Sequence, residues 1–164
     1  MMAIRQTHRI TLTGRKVVGG KAAAEAIGAN PLLCRVGAYY HDIGKVKKPG
    51  YFIENNMDAL KRHEKLSPHL SSLIVVSHVK EGVELALEHR LPPAIVDLIP
   101  QHHGTRLVTY FYEKAKANEE DKDKDMPHKE TFRYDGPLPN TKETGILLLA
   151  DGIEAASRAM KNPT

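Results

Sequence analysis

The chain has 164 residues, 41% of them hydrophobic, and its 24 Lys and Arg outnumber its 20 Asp and Glu to give a net charge of +4. This length suits one domain with a sizeable core, and no apolar run approaches the roughly 20 residues that span a bilayer. Scattered basic residues, three Phe and no Trp argue against a DNA- or RNA-binding surface. The N-terminus lacks a signal peptide and one cysteine excludes an internal disulfide, so we expect a cytoplasmic protein.

Apolar residues recur at helical spacing, which predicts an all-α protein. A first helix is expected over residues 7–28, although its glycines weaken it. An Asn-Pro pair at 30–31 predicts an N-cap and a first helical position for a second helix. That helix carries Cys34, which we expect to be a small buried hydrophobe, and Gly44 is its expected terminator.

The next part of the chain has a similar helical pattern. Residues 45–66 form a long basic connection, and a Ser-Pro pair at 67–68 predicts the start of a third helix. Gly82 is expected to break or kink this helix. Two further helices are expected over 94–101 and 107–117.

Residues 118–140 contain a run of charged residues without apolar anchors, which predicts a flexible loop. A last helix then begins near residue 141 and includes the apolar run at 146–149. We therefore expect one domain over residues 1–164, a compact bundle of about six to seven helices with an atypical N-terminus over residues 1–20.

Side chains that bind divalent metals occur at four separate places in this pattern. They are His41, Asp42, His78, His102, His103 and Asp151. Taken singly, each has an ordinary alternative role: a hydrogen-bonded core histidine, a solvated helix cap, or an aspartate paired with arginine. A carboxylate inside an apolar run is costly unless it is paired or binds a metal. Because several helices can bring ligands into a bundle core, the six residues together predict a metal site.

Seven short segments carry a more specific signal and lie in one register across about residues 20–160. They are residues 24–31 (AEAIGANP), 36–45 (VGAYYHDIGK), 52–55 (FIEN), 65–68 (KLSP), 77–80 (SHVK), 101–105 (QHHGT) and 149–151 (LAD). Together they resemble the HD-domain metal-dependent phosphohydrolases. The resemblance is strongest to the cytosolic domain of the seven-transmembrane-receptor type, in the cyclic-di-AMP phosphodiesterase branch, whereas HDIGK alone would indicate only the superfamily. The chain then looks like a domain excised from such a receptor, on the cytosolic face of the membrane.

The resemblance implies an HD-type helical fold and a centre of two divalent metal ions, iron or manganese. It assigns His41 and Asp151 to the first metal, Asp42 to a bridge between both metals, and His78, His102 and His103 to the second metal. It also implies that a metal-activated hydroxide attacks phosphorus in line, and that cyclic di-AMP is opened to pApA.

The candidate catalytic residues are Asp42 and Lys45. Lys45 is also a candidate phosphate contact, and its alternative role is that of a cation at a helix C-terminus. His63, in the basic connection, is either a substrate contact or a solvated loop residue. Arg106 follows the paired histidines and is a further candidate for substrate phosphate.

One expected ligand is missing from the sequence. The resemblance places a first-helix histidine 29 residues before His41, and Leu12 stands at that position. A leucine cannot bind a metal. His8 lies about one helical turn, roughly 6 Å, away along a helix axis and is an alternative donor if the helix shifts. We therefore expect weaker occupancy of the first metal site.

Two other functions remain open at this stage. The chain is either a broader nucleotide or phosphate-ester phosphohydrolase of the HD type, or a catalytically impaired nucleotide-binding sensor. The cyclic-di-GMP branch is disfavoured because its Gly-Tyr-Pro signature is absent from residues 101–110. A monomer or a weak dimer is expected.

Overall fold

The computed structural model describes residues 14–56, 58–118 and 127–159. Its α-helices are α1 Gly14–Ile27, α2 Pro31–Tyr40, α3 Ala59–Glu64, α4 Pro68–Glu88, α5 Pro93–Val96, α6 Leu98–Gln101, α7 Thr109–Asn118 and α8 Lys142–Ala159. Three 3₁₀ helices lie between them: η1 Ile43–Lys47, η2 Pro49–Tyr51 and η3 Lys129–Phe132. The all-α prediction is confirmed. The expected number of helices also holds, because α5 and α6 together occupy the one helix predicted there.

The starts of α2 and α4 follow the predicted capping chemistry. The Asn30 side chain accepts a hydrogen bond from the Leu33 N–H at 3.0 Å, and the Ser67 hydroxyl accepts one from the Leu70 N–H at 3.2 Å. In both helices a proline occupies the first turn, where its missing N–H costs nothing. These caps fix where the two helices begin, and the predicted metal ligands follow at the end of α2 and in the middle of α4.

The core lies where α1, α2 and α8 pack against one another. One cluster joins α2, α5, α6 and α8 through Ala38, Ile95, Leu98 and Leu147. A second joins α1, α2 and α8 and includes Cys34, which is 2% exposed. The prediction that Cys34 is a small buried hydrophobe is therefore confirmed.

Two glycines have a different role from the one predicted. Helix α4 runs through Gly82 without a break, and α2 ends at Tyr40, before Gly44. Gly44 lies in η1, where a Cβ atom would come within 1.9 Å of the His78 carbonyl oxygen and 2.5 Å of the Gly82 nitrogen. Both glycines therefore allow η1 to lie directly on α4, and neither is a helix breaker.

Two segments are more ordered than the sequence suggested. The connection over residues 45–66 contains η1, η2 and α3. The described half of the expected loop, residues 127–140, contains η3 and an isolated antiparallel bridge between Leu107 and Arg133. Phe132 is 2% exposed and packs with Phe111 and Ala115 of α7, so an apolar anchor is present in this half after all. No helix in the described ranges has the length and hydropathy required to cross a membrane.

Candidate metal centre and active-site cleft

All six predicted ligands converge in the structure. They form two groups, one of Asp42, His78, His102 and His103 and one of His41, Asp42 and Asp151, and within each group the ligand atoms lie within 4.8 Å of one another. The end of α2, the middle of α4, the end of α6 and the middle of α8 supply them. Donors far apart in the sequence therefore meet between helices, as the metal-site prediction requires.

Three of the histidines are oriented in the same way. Nδ1 of His41 lies 3.0 Å from the Ala38 carbonyl, Nδ1 of His78 lies 2.6 Å from the Val75 carbonyl, and Nδ1 of His102 lies 2.5 Å from the Ile99 carbonyl. In each case the carbonyl belongs to the residue three positions earlier. Because a carbonyl only accepts, each Nδ1 carries the proton and donates it, which leaves a lone pair on Nε2. The backbone thus fixes three imidazoles in the tautomer that binds metal through Nε2.

The Asp42 carboxylate lies between the two groups. Its Oδ2 is 3.1 Å from His41 Nε2, and its Oδ1 is 3.3 Å from His78 Nε2 and 3.6 Å from His102 Nε2. Each carboxylate oxygen therefore faces a different set of imidazoles. This division is the geometry that a bridging carboxylate needs.

Asp151 and His103 close the opposite side of the centre. Asp151 Oδ1 lies 3.8 Å from His41 Nε2, and its Oδ2 lies 3.6 Å from His103 Nδ1. Gly104 follows with φ 54°, a left-handed conformation that turns the chain away from the site directly after the paired histidines. Asp151 is 8% exposed, so this carboxylate is buried within α8, as expected for a paired or metal-binding group.

The electrostatics keep these side chains in metal-binding protonation states. Burial favours the neutral form of Asp42, but the charges of His41 and Lys45 outweigh burial and hold the pKa of Asp42 well below its usual value. Burial lowers the pKa of His102 to about 4. Burial, helped by the neighbouring His102 and His78, also holds the pKa of His103 well below its usual value. At neutral pH the centre therefore presents an ionised Asp42 carboxylate and neutral imidazoles at His102 and His103.

Lys45 is held by two carboxylates. Its Nζ donates to Asp42 Oδ2 at 2.8 Å and makes a short contact with Glu54, and it lies 5.3 Å from the centre of the Phe52 ring. Although burial opposes its charge, both carboxylates raise the pKa of Lys45 above its usual value. Glu54 lies within the FIEN segment but was not predicted as a site residue. Its partner is nine residues away, beyond the reach of helical periodicity.

A cleft of about 580 Å³ opens above the two donor groups. Lys45, His78, His103 and Asp151 form part of its floor, and aromatic side chains line another part: Tyr51, Phe52, Tyr110, Phe111 and Tyr134. Pockets that bind small molecules have similar volumes, mostly apolar walls and a few convergent polar groups. The metal centre therefore lies at the bottom of a space suited to a ligand.

His63 lies in α3 and is not a solvated loop residue, since it is only 4% exposed. Its Nε2 lies 2.9 Å from the Tyr51 carbonyl and donates to it, and its ring lies 4.9 Å from the Phe111 ring. His63 also lines the cleft. Its direct contact with a substrate remains a prediction.

Arg106 is exposed and lies along α8 beside the centre. Its Nη1 is 3.4 Å from the Leu148 carbonyl, and a Cβ on Gly152 would come within 2.6 Å of its guanidinium. Gly152 therefore makes room for the arginine next to Asp151. Contact of Arg106 with a phosphate stays a prediction.

Tyr134 is a site residue that the sequence reasoning missed, because it falls in the expected flexible loop. Its ring stacks on His103, with centroids 4.1 Å apart and planes at 24°, and it meets the His78 ring edge-on at 6.1 Å. A hydrogen bond from its N–H to the Arg106 carbonyl at 3.0 Å holds it there. The alternation of Phe132 and Tyr134 between polar residues was the available signal.

A helical bundle that brings histidines from several helices to a shared aspartate is the architecture of a metal-binding domain, and residues 19–156 match the HD domain. The chain belongs to the HD-domain family. Cyclic-di-AMP phosphodiesterase PgpH of Bacillus subtilis (strain 168) is 50% identical to it over 143 residues, which are 87% of this chain and 19% of that protein. The protein of the same name from Listeria monocytogenes serotype 1/2a (strain 10403S) is 46% identical over 145 residues, 88% of this chain and 19% of that protein.

A solved structure also matches. The crystal structure of the L. monocytogenes phosphodiesterase PgpH HD domain in complex with cyclic-di-AMP has a TM-score of 0.81 and 43% identity, and the match covers 92% of this chain and 67% of that chain. This likeness confirms the predicted HD-type fold. The chain spans about a fifth of the length of the curated relatives it matches.

The structure does not describe the position of the missing first-helix ligand. Leu12 and the alternative donor His8 lie outside the described residues. The expectation of a weaker first metal site therefore still rests on the sequence.

Proposed function

We propose that this chain is a metal-dependent phosphodiesterase domain that hydrolyses cyclic di-AMP to pApA. The observation that carries the proposal is the position of Asp42, whose two oxygens face separate donor groups at the bottom of the cleft. The PgpH relatives are named as cyclic-di-AMP phosphodiesterases and the matching crystal structure is a complex with cyclic-di-AMP, and both support the choice of substrate.

The residues fit two divalent ions, for which we propose iron or manganese. His41, Asp42 and Asp151 would hold one ion, and Asp42 with the three remaining histidines would hold the other. Neutral imidazoles and carboxylates suit first-row divalent metals, iron and manganese among them. When bound, the ions supply an activated water and neutralise charge on the phosphate.

The protein's own groups position the reaction. During hydrolysis an oxygen from water bonds to phosphorus while the bond from phosphorus to a ribose 3′-oxygen breaks, which leaves a 5′-phosphate and a 3′-hydroxyl. Lys45 holds Asp42 in place and adds a positive charge to the cleft floor. The guanidinium of Arg106 lies against Gly152, the residue after Asp151. We propose that these two cations attract the two phosphates of the cyclic dinucleotide.

The experiment that tests this function is an incubation with alternative substrates. Purified protein loaded with Mn²⁺ or, without oxygen, Fe²⁺ is given cyclic di-AMP, cyclic di-GMP or bis(p-nitrophenyl) phosphate, and the products are separated. We expect conversion of cyclic di-AMP to pApA at the highest rate. His102→Ala should abolish turnover and lower metal content, whereas His89→Ala, which alters an exposed histidine, should keep both. Binding of cyclic di-AMP without turnover under any condition would refute the proposed phosphodiesterase activity.

Leu12 favours one alternative, a nucleotide-binding sensor with impaired catalysis, and the same incubation distinguishes it because a sensor binds without turnover. Preferential cleavage of the generic diester would instead indicate a broader HD phosphohydrolase.

We further propose that the domain acts in the cytosol and is a monomer or weak dimer. Light scattering of the purified chain tests the oligomeric state.

A further inference from the structure

Tyr134 is an aromatic residue of the cleft that stacks on the predicted metal ligand His103, and the segment carrying it is firmly anchored. The Val108 N–H donates to the Phe132 carbonyl at 2.8 Å, and the Tyr134 N–H donates to the Arg106 carbonyl at 3.0 Å. Phe132 is buried, which fixes the backbone two residues before Tyr134. The ring of Tyr134 thus has a defined position against His103.

The Tyr134 hydroxyl is left available by this arrangement. It makes no hydrogen bond with any residue in the described ranges and is not fully buried, and Tyr134 lines the cleft. A phenol is a neutral hydrogen-bond donor at pH 7, whereas the non-bridging oxygens of a phosphodiester only accept hydrogen bonds.

We propose that Tyr134 is a substrate-binding residue whose hydroxyl donates a hydrogen bond to a non-bridging oxygen of the phosphate held at the metal centre. The inference rests on the proposed function, because it assigns a contact within that site. The ring meanwhile keeps His103 oriented by stacking. Hydroxyl and ring therefore have separable roles, which makes the proposal testable with two substitutions.

Tyr134→Phe keeps the stacked ring and removes only the donor. Hydrogen bonds to charged groups contribute about 1.5–3 kcal/mol, so kcat/KM for cyclic di-AMP should fall about 10- to 100-fold while metal content stays unchanged. Tyr134→Leu should also lower the affinity for Mn²⁺, because His103 loses its stacking partner. Tyr39→Phe, which removes a hydroxyl from the exposed side of α2, is the matched control and should keep wild-type activity.

Two measurements keep this inference separate from the proposed function. Calorimetric titration of Mn²⁺-loaded protein with pApA, and with cyclic di-AMP if no turnover occurs, should give at least about tenfold weaker binding for Tyr134→Phe than for the wild type. If the wild type fails to cleave cyclic di-AMP but Tyr134→Phe still binds it more weakly, only the proposed function fails. Equal kcat/KM, or equal affinity where there is no turnover, in wild type and Tyr134→Phe would overturn the role of the hydroxyl.

A phosphorothioate substrate identifies the atom concerned. Sulfur is a weaker hydrogen-bond acceptor than oxygen, so replacing the oxygen that Tyr134 contacts should weaken catalysis by the wild type. For that diastereomer of phosphorothioate cyclic di-AMP, the ratio of the wild-type kcat/KM to the Tyr134→Phe kcat/KM should fall toward one. A constant difference across oxygen and both sulfur diastereomers would mean that the hydroxyl contacts no phosphate oxygen.

Discussion

Lys45 lies between two carboxylates, and this arrangement determines what its charge does at the site. One partner, Asp42, is the shared ligand, and the other, Glu54, comes from the segment after η2. The side chain of Lys45 is 14% exposed and that of Glu54 is 21% exposed. At this degree of burial, loss of one charge leaves its partner poorly solvated. We therefore expect Glu54 to hold Lys45 in position, and Lys45 in turn to hold Asp42.

Replacement of Glu54 tests this arrangement. Glu54→Ala should destabilise the fold by about 1–3 kcal/mol and lower kcat/KM, because Lys45 loses one of its two partners. Glu54→Gln should be intermediate, since its amide oxygen still accepts a hydrogen bond. Urea unfolding and steady-state kinetics measure both effects. Asp58→Asn removes an acid from an exposed pair with Lys61 and should leave stability and activity unchanged. Equal effects of Glu54→Ala and Asp58→Asn would contradict the role of Glu54.

Leu12 gives a second prediction for a single residue. If this position lacks a ligand for the first metal, Leu12→His should increase the number of Mn²⁺ ions bound per chain and tighten the weaker site by about tenfold or more. Leu12→Asn is the control, because an amide is polar but a poor ligand for these metals. Metal titration followed by elemental analysis measures the change. Two tight sites in the unaltered chain would show that another residue already replaces the missing histidine.

The elements of the fold were predictable where local chemistry determines them. The caps at residues 30–31 and 67–68 are local, and so α2 and α4 begin where predicted. Gly82 was misjudged because the atoms that a Cβ there would approach belong to Ile99, at 3.0 Å, and to Gly44, at 3.3 Å, and both residues are distant in the sequence. Tyr134 was missed for a similar reason: its order depends on pairing with the chain near residue 107. Contacts between segments that are distant in the sequence do not produce a periodic pattern that predicts them.

The contact between η1 and α4 gives a prediction for these elements. In Gly44→Ala the new Cβ would overlap backbone atoms of His78 and Gly82, which cannot rotate away. We expect a loss of about 1–3 kcal/mol or more in unfolding free energy, together with weaker metal binding, because η1 would shift Asp42 away from His78. Chemical denaturation and Mn²⁺ titration measure the two losses.

Gly19→Ala is the matched control for this substitution. Gly19 is exposed within α1, and a Cβ there would meet no atom within 4 Å. Alanine has the higher helix propensity, so this variant should gain about 0.5–1 kcal/mol. If Gly44→Ala and Gly19→Ala change stability alike, then close approach is not the reason for glycine at position 44.

For the whole molecule, the candidate metal centre is also a junction of the fold. The predicted ligands lie on or next to α2, α4, α6 and α8, so they bring these four helices around a common point. Several buried imidazoles in one place make the metal-free protein sensitive to protons. Bound metal should stabilise it, because an ion that binds only the folded state shifts the unfolding equilibrium by mass action.

This coupling predicts how stability depends on pH without metal. The pKa of His102 is about 4 in the folded protein against 6.5 for an ordinary histidine, so between these values the unfolded chain binds more protons. Stability should therefore fall as pH decreases from about 6.5 to about 4, by at most about 3 kcal/mol from this residue. The pKa of His103 is lowered in the same way, so this residue adds to the loss of stability on acidification. Urea unfolding in EDTA at several pH values measures the slope.

Two comparisons assign the slope to the buried centre. His102→Gln should show a shallower decline between pH 6.5 and pH 4, because the residue that resists protonation is gone. His89→Ala, at an exposed position, should keep the wild-type slope. Saturating Mn²⁺ should raise stability at pH 7 more than at pH 5, since protons compete with the metal for the imidazoles. Wild-type stability that stays constant or rises on acidification in EDTA would mean that these histidines are not held neutral by burial.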